Sequence, residues 1–279
     1  MLLYCVIVYV KRRFSNPKDY GIPIISIGNL IVGGSGKTPF TIALAKEINH
    51  VAIVLRGYKR ESNELTVVSQ YGVITSSVEK SGDEAMLMAK SLPQASIIVS
   101  VDRVEGILKA KSLGATVVIL DDGFSKSNIK KLDILLKPSL PMSNNLCLPS
   151  GPYRESRRLY KSADLVAVED RDFYRDVKIK NKSERMVLVT AISRPQRLDK
   201  YLPSFIEKVY YPDHYKYNGQ ELETILRKYS ADTILTTQKD AVKMEKFRID
   251  LSILELNLVV NSYIYERVNK YIKDYDKIS

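Results

Sequence analysis

The sequence predicts an α/β protein, with a larger doubly wound α/β/α domain followed by a smaller α/β domain and a ribbon-like connector between them. Three observations carry that prediction. Short aliphatic runs ending at turn residues recur along the chain, as buried parallel strands do. Helical spacing fills the gaps between them, which is the alternation of a doubly wound sheet. After residue 168 the pattern lapses into a charged stretch and then resumes.

Met1 to Val10 is apolar and is followed by Lys11-Arg12-Arg13. As a helix this run would reach roughly 15 Å, half a hydrocarbon core, so it cannot span a bilayer. The basic residues follow the apolar run and no small-residue cleavage site appears, so it does not read as a signal peptide. Residues 1–14 therefore read either as a monotopic anchor with its cations at the headgroups, or as a first buried element of the fold. Residues 15–170 form the larger domain. Its strands are expected at Ile24 to Ile27, Val51 to Leu55, Ile97 to Ser100, Val117 to Leu120 and Leu165 to Val168, with helices at Pro39 to Asn49, Asp83 to Ser91 and Arg103 to Ser112. Residues 171–185 are the expected connector. Residues 186–279 carry strand-like runs at Met186 to Ile192, Thr233 to Thr237 and Ile253 to Val260, closed by a helix from about Ser262 to Lys277.

Composition narrows the function classes. Two cysteines and two histidines in 279 residues exclude a disulfide framework and a cysteine–histidine metal cluster, and fit a reducing compartment. The balance of 43 Lys+Arg against 32 Asp+Glu, a formal +11, points to an acidic partner: nucleic acid, anionic lipid or a phosphorylated substrate.

Gly33-Gly34-Ser35-Gly36-Lys37-Thr38 sits between a strand and a helix, the setting a phosphate-binding loop requires. Its backbone N–H groups would curl around phosphate oxygens, Lys37 would neutralise the β/γ-phosphates, and the Thr38 hydroxyl would ligate Mg²⁺. The first glycine of the strict motif is replaced by Ile31. The larger domain is thus expected to be P-loop NTPase-like, with ATP and Mg²⁺ as cofactors. Asp121-Asp122, at the tip of the Val117 run, supplies a carboxylate for the magnesium shell. Asp83 in Ser81-Gly82-Asp83-Glu84 reads as a helix cap or as a positioned base, and His214 in Tyr211-Pro212-Asp213-His214 as a turn residue or a catalytic one. Arg56, Arg103 and Arg154 follow strand ends or lie in loops, where a guanidinium suits bidentate phosphate recognition or plain solvation.

Taken together these residues resemble the tetraacyldisaccharide 4′-kinase family. The resemblance rests on Ile27-Gly28-Asn29-Leu30 running into the glycine loop and Pro39, then Arg56-Gly57-Tyr58, Gly82-Asp83-Glu84, Asp102-Arg103, Leu120-Asp121-Asp122-Gly123-Phe124, Leu148 to Glu155, Pro212-Asp213-His214 and Thr236 to Lys243. It implies ATP-dependent phosphorylation of the 4′-hydroxyl of a tetraacyldisaccharide 1-phosphate, an anionic glycolipid, at the cytoplasmic face of the inner membrane. It further implies Asp83 as base assisted by His214, with Lys37 serving the transferring phosphate. Gly33, Gly34, Ser35, Gly36, Lys37 and Thr38 would hold nucleotide, and Thr38, Asp121 and Asp122 the metal. Tyr58, Glu84, Arg103 and Arg154 would contact substrate or phosphate. Where the family continues with Gln-His after Phe124, this chain has Ser125-Lys126, and Lys59 stands where a glycine is common. A partitioning-type switch ATPase is the alternative, but its signature lysine before the paired glycines is here Val32. No nucleic-acid-binding signature accompanies the basic charge, and a monomer is the default expectation.

Overall fold

The computed structural model describes residue 12 and residues 14–32, 36–58, 60, 63–139, 142–193 and 195–277. The apolar run at 1–10, Lys11, Arg13, Gly33, Gly34, Ser35 and Lys59 lie outside the described residues.

The larger sheet has eight strands: β1 (Ile24–Asn29), β2 (Val51–Leu55), β3 (Thr66–Gln70), β4 (Val73–Ile74), β5 (Ser96–Val99), β6 (Val117–Asp121), β7 (Leu132–Lys137) and β8 (Leu165–Val168). Their order is β4-β3-β5-β2-β6-β1-β7-β8, parallel throughout except for the β3–β4 hairpin edge. Strands β1, β2, β5 and β6 are buried at every position, because helices cover both faces and period-2 alternation is lost. Alternate side chains still feed different cores. Ile25, Ile27 and Ile53 enter one core with α1 (Lys37–Lys46) and α2 (Asp83–Ser91), while Ile24, Val54 and Val118 pack with Ile107 and Ala110 of α3 (Arg103–Ser112). The hairpin β3–β4 and strand β7 were not among the predicted elements. Thr66–Gln70 and Val73–Ile74 flank Tyr71-Gly72, a turn signal that would have found the hairpin.

The second sheet contains β9 (Phe173–Lys180), β10 (Met186–Thr190), β11 (Lys208–Tyr210), β12 (Thr233–Thr237) and β13 (Leu251–Val260), ordered β11-β10-β12-β13-β9. Helices α4 (Gly219–Tyr229) and α5 (Gln238–Met244) flank it. One expectation sharpens and one changes here. Most of the predicted connector is strand β9, hydrogen-bonded antiparallel along β13 from Phe173↔Val260 to Lys180↔Ile253. The last helix, α6 (Ser262–Asp276), does not close the smaller sheet but returns to the larger one, where Ile264 and Val268 share a core with Ile25, Phe40 and Val51. The cause is the length of β13. At ten residues it outruns its five-residue neighbour β12, so its far half, with Leu258 and Val260, leaves the second sheet and carries the chain back. Phe40 of α1 meets Phe173 of β9 edge-on at 5.3 Å, which seats the helix behind the glycine loop directly on the ribbon.

Candidate active site

In an open parallel sheet ligands gather at the carboxyl ends of the strands, and the chemistry-bearing residues converge there. At the end of β1, Asn29 turns its amide inward, donating from Nδ2 to the Ile31 carbonyl at 2.8 Å. The same Asn29 Oδ1 accepts from Lys37 Nζ at 3.0 Å and from Arg154 Nη2 at 2.6 Å. Gly36 holds φ +80° at the N-terminus of α1, a left-handed turn with no side-chain cap, and a helix start of that kind presents N–H groups that suit an anion. Lys37 and Thr38 occupy the first turn of that helix.

Arg154 reaches the site because its segment is laced to the chain after β1. Arg154 N donates to the Leu30 carbonyl at 2.7 Å, and Val32 N to the Pro152 carbonyl at 2.9 Å. Its guanidinium then grips Asp122 with two parallel bonds, 2.9 and 3.1 Å, the fork geometry that distinguishes arginine from lysine. Lys37 Nζ lies 3.6 Å from the same carboxylate. Burial pushes the Asp122 carboxyl up, but the Arg154 hydrogen bonds and the charges of Lys37, Arg154 and Arg103 outweigh it and hold it at about 2. Its neighbour behaves oppositely. Asp121 is wholly desolvated, and burial together with the Glu84 charge pushes it up to about 7, against the pull of Lys37 and of the Thr41 hydroxyl, which donates at 3.2 Å. Two adjacent carboxylates are thus driven apart by their surroundings, one firmly ionised and one poised near neutrality.

That poise has a consequence for stability. A carboxyl whose folded value is raised costs stability that builds up as pH rises above the unfolded value, is complete above the folded one, and vanishes as pH falls back below the unfolded value. Asp121→Asn keeps the acceptor for Thr41 and removes the charge. Without nucleotide or metal it is expected to stabilise the chain at about pH 8 by roughly 2–4 kcal/mol, a gain that shrinks by about pH 5. Denaturant unfolding of both proteins at the two pH values measures it; a difference that does not vary with pH would remove the desolvated carboxylate from the account.

Across the cleft, Gly82 with φ +86° occupies the cap position of α2, so Asp83 is the first helical residue rather than the cap. Its carboxylate, 6% exposed, accepts from the Glu84 N–H at 3.0 Å and meets His214 Nδ1 at 3.1 Å. His214 comes from the loop after β11. It is held at φ +66°, a conformation costly for a residue with a Cβ, and Asp122 at φ +54° shares that property. His214 does lie in a turn, as expected, but not as a surface residue, since its side chain is only 13% exposed. Tyr58, 65% exposed, covers its outer side with ring centroids 5.5 Å apart. Arg103 lies beneath the site rather than facing it, 3% exposed and donating to the carbonyls of Ser100 and Asp121 at 2.8 and 3.1 Å.

Sequence reasoning assigned no role to Asn29, Lys239, Asp240 or Lys243. Lys239 Nζ stands 3.7 Å from Asp83, 3.8 Å from Glu84 and 3.8 Å from Asp213. Lys243 pairs with Asp240 at 2.7 Å and stands 3.9 Å from Asp83. The signal was present, since two lysines four residues apart follow a strand and share one helix face. Among the described residues no cluster of three or more His, Cys, Asp or Glu could hold a metal by itself.

The comparisons with known proteins agree with one another. The family profile described as Tetraacyldisaccharide-1-P 4'-kinase matches residues 1–273. The chain is 46% identical over 282 residues to the tetraacyldisaccharide 4'-kinase of Aliarcobacter butzleri, covering 98% of this chain and 90% of that one. It is 46% identical over 275 residues to the kinase of the same name from Helicobacter pylori, covering 98% and 88%. The crystal structure of LpxK from Aquifex aeolicus in complex with ATP superposes with a TM-score of 0.79 at 28% identity, covering 98% of this chain and 96% of that one. The chain belongs to the tetraacyldisaccharide-1-phosphate 4′-kinase family.

Proposed function

We propose that this protein transfers the γ-phosphoryl group of ATP to the 4′-hydroxyl of a tetraacyldisaccharide 1-phosphate, giving the 4′-phosphorylated glycolipid and ADP. The observation that carries the mechanism is the Asp83–His214 contact at 3.1 Å, made between the two sheets' residues. Glu84, next in the chain to Asp83, also bears on the Asp121 carboxyl at the end of β6, which it pushes upward. The acceptor hydroxyl gives its proton to the Asp83–His214 pair as its oxygen bonds to the γ-phosphorus, and the bond from that phosphorus to the β,γ-bridging oxygen breaks. Lys37 follows the charge that gathers on the transferring group and on the leaving phosphate, while the amides of the glycine loop fix the nucleotide. Tyr58, Glu84 and Arg154 orient the sugar and its phosphates, and Arg103 holds the backbone that carries Asp121.

The residues fit a magnesium ion. Asp121 is a desolvated carboxyl beside two like charges, an environment a divalent cation relieves. Asp122 already accepts from Arg154 on both oxygens, so Asp121 and the Thr38 hydroxyl would hold the ion. When bound, it neutralises and orients the β- and γ-phosphates.

The substrate partner is an anionic glycolipid in an anionic leaflet, which the formal +11 charge favours. Among the described residues no helix is long and apolar enough to cross a membrane. We place the protein as a monomer resting on the cytoplasmic face of the inner membrane through its apolar N-terminal run, with no nucleic acid as partner; Arg12 is not among the headgroup cations the sequence suggested, because its guanidinium stacks on the Phe124 ring and donates to the Phe124 carbonyl. The partitioning-ATPase reading finds no support beside relatives named as kinases over 98% of the chain. Purified protein incubated with γ-labelled ATP, magnesium and detergent-dispersed tetraacyldisaccharide 1-phosphate is expected to move label onto the lipid. Label released only as inorganic phosphate would overturn the reading.

A further inference from the structure

The charges around Asp83 and His214 come from opposite sides of the cleft. Asp83 and Glu84 lie on α2 beside the larger sheet, whereas Asp213, His214, Lys239 and Lys243 all come from the smaller one. Lys239 and Lys243, one turn apart on α5, present both ammonium groups to a single oxygen, Asp83 Oδ2, at 3.7 and 3.9 Å. That oxygen is also the one His214 Nδ1 contacts. The far imidazole nitrogen, Nε2, lies 3.6 Å from Asp213. Two cations therefore crowd the carboxylate while a carboxylate backs the imidazole, and Lys239 reaches both Asp83 and Asp213.

The mounting of the lysines is rigid. Asp240, completely buried, accepts from the hydroxyls of Thr190 and Thr237 at 2.7 and 3.0 Å and from the Ala191 N–H at 3.1 Å, and pairs with Lys243 at 2.7 Å. The Tyr217 ring lies 5.1 Å from the Lys243 ammonium on its other side. Lys239 is more open, one-fifth exposed, and stands nearly equidistant from Asp83, Glu84 and Asp213.

We infer that Lys239, backed by Lys243, is a positioning residue for phosphoryl transfer: it keeps Asp83 ionised and turned to His214, so that the acceptor proton comes to rest on the imidazole. This rests on the reading that Asp83 and His214 together take that proton. Two cations beside the carboxylate make neutral Asp83 unfavourable, and Asp213 behind the ring favours the imidazolium. The local charges agree. Burial would raise the Asp83 carboxyl, yet the His214 hydrogen bond and the charges of Lys239, His214 and Lys243 hold it below its ordinary value. Burial would likewise lower the Lys239 ammonium, and Asp83, Glu84, Asp213 and Asp240 hold it above.

The chain has two histidines, so its imidazole proton resonances provide a direct test with an internal control. His50, whose ring meets Tyr71, has no part in the cluster, and His214→Gln assigns the signals. In the full-length protein, Lys239→Met removes a positive charge from the pair. The His214 midpoint is expected to rise by about one pH unit while that of His50 stays fixed, and Lys239→Arg is expected to restore it. The acidic limb of the kcat–pH profile should move upward with it, leaving KM for ATP within about twofold of the parent. A His214 midpoint unmoved in Lys239→Met overturns the inference whatever happens to the rate, and Lys239→Gln repeats the readout should the Met variant not fold. The underlying reading fails separately: if Asp83→Ala turned over like the parent, the proton would go elsewhere even with the imidazole midpoint shifted.

Discussion

Replacing Asp83 by Ala is expected to lower kcat for phosphoryl transfer by about 10²–10⁴-fold while leaving ATP affinity within a few-fold of the parent. The carboxylate makes its contacts with His214, the Glu84 N–H, Lys239 and Lys243, and none with Lys37 or Asn29 at the nucleotide loop. Its loss therefore strikes the acceptor side alone. His214→Ala should cost about as much as Asp83→Ala, since Lys239 and Lys243 oppose protonation of the carboxylate left behind, and the double variant should be little worse than either because the two act as one unit. Single-turnover kinetics with saturating ATP, together with nucleotide-induced thermal shift, separate the two quantities. Turnover of Asp83→Ala equal to that of the parent would end the assignment of the base. A loss of nucleotide binding equal to the loss of rate would mean that the α2 terminus had collapsed instead.

The same pair shows what was legible in the sequence. Asp83 was ambiguous between cap and base because a carboxylate at a helix start satisfies either pattern. The structure separates them by one residue, with Gly82 in the cap position and Asp83 inside the first turn. His214 was ambiguous because nothing local to Pro212-Asp213-His214 says that Asp83, 131 residues earlier, will be its partner. The larger sheet was legible because its central strands are buried on both faces and show as unbroken aliphatic runs, such as Val51 to Leu55 and Val117 to Leu120. Strand β9 was not. After buried Phe173 it mixes exposed and half-buried residues without regular alternation, carries four charged side chains, Arg175, Asp176, Lys178 and Lys180, and is recognisable only once its antiparallel partner β13 is in place. The destination of α6 was hidden for the same reason. A helix with one apolar face states that it must pack, but not against which sheet.

Asn29 shows the remaining gap between motif and mechanism. It was visible as part of the first quoted motif, yet its function as the bracket between Lys37 and Arg154 depends on a loop more than a hundred residues away. Asparagine at a strand end is an unremarkable residue until two cations converge on its carbonyl oxygen.

Those two cations lead to the second large effect. Arg154 grips Asp122 with two bonds and donates to Asn29 as well, whereas Lys37 touches the same carboxylate only at 3.6 Å and is otherwise held by a neutral amide oxygen at 3.0 Å. Lys37 is thus the less committed charge, able to turn to a phosphate without leaving a buried carboxylate unpaired. Lys37→Met is expected to lower kcat/KM for ATP by about 10²–10³-fold, the range for losing one well-placed donor to a developing charge. Unlike Asp83→Ala, it should also shrink the rise in melting temperature produced by ATP and magnesium, since that rise reports nucleotide affinity for the folded chain. Lys37→Arg should not restore the rate. The guanidinium of Arg154 already occupies Asn29 Oδ1 and Asp122, and a second planar fork cannot share those acceptors with the reach of an ammonium. An undiminished thermal shift in Lys37→Met, with lipid phosphorylation intact, would show that the loop's backbone alone binds the nucleotide and that the lysine adds nothing to transfer.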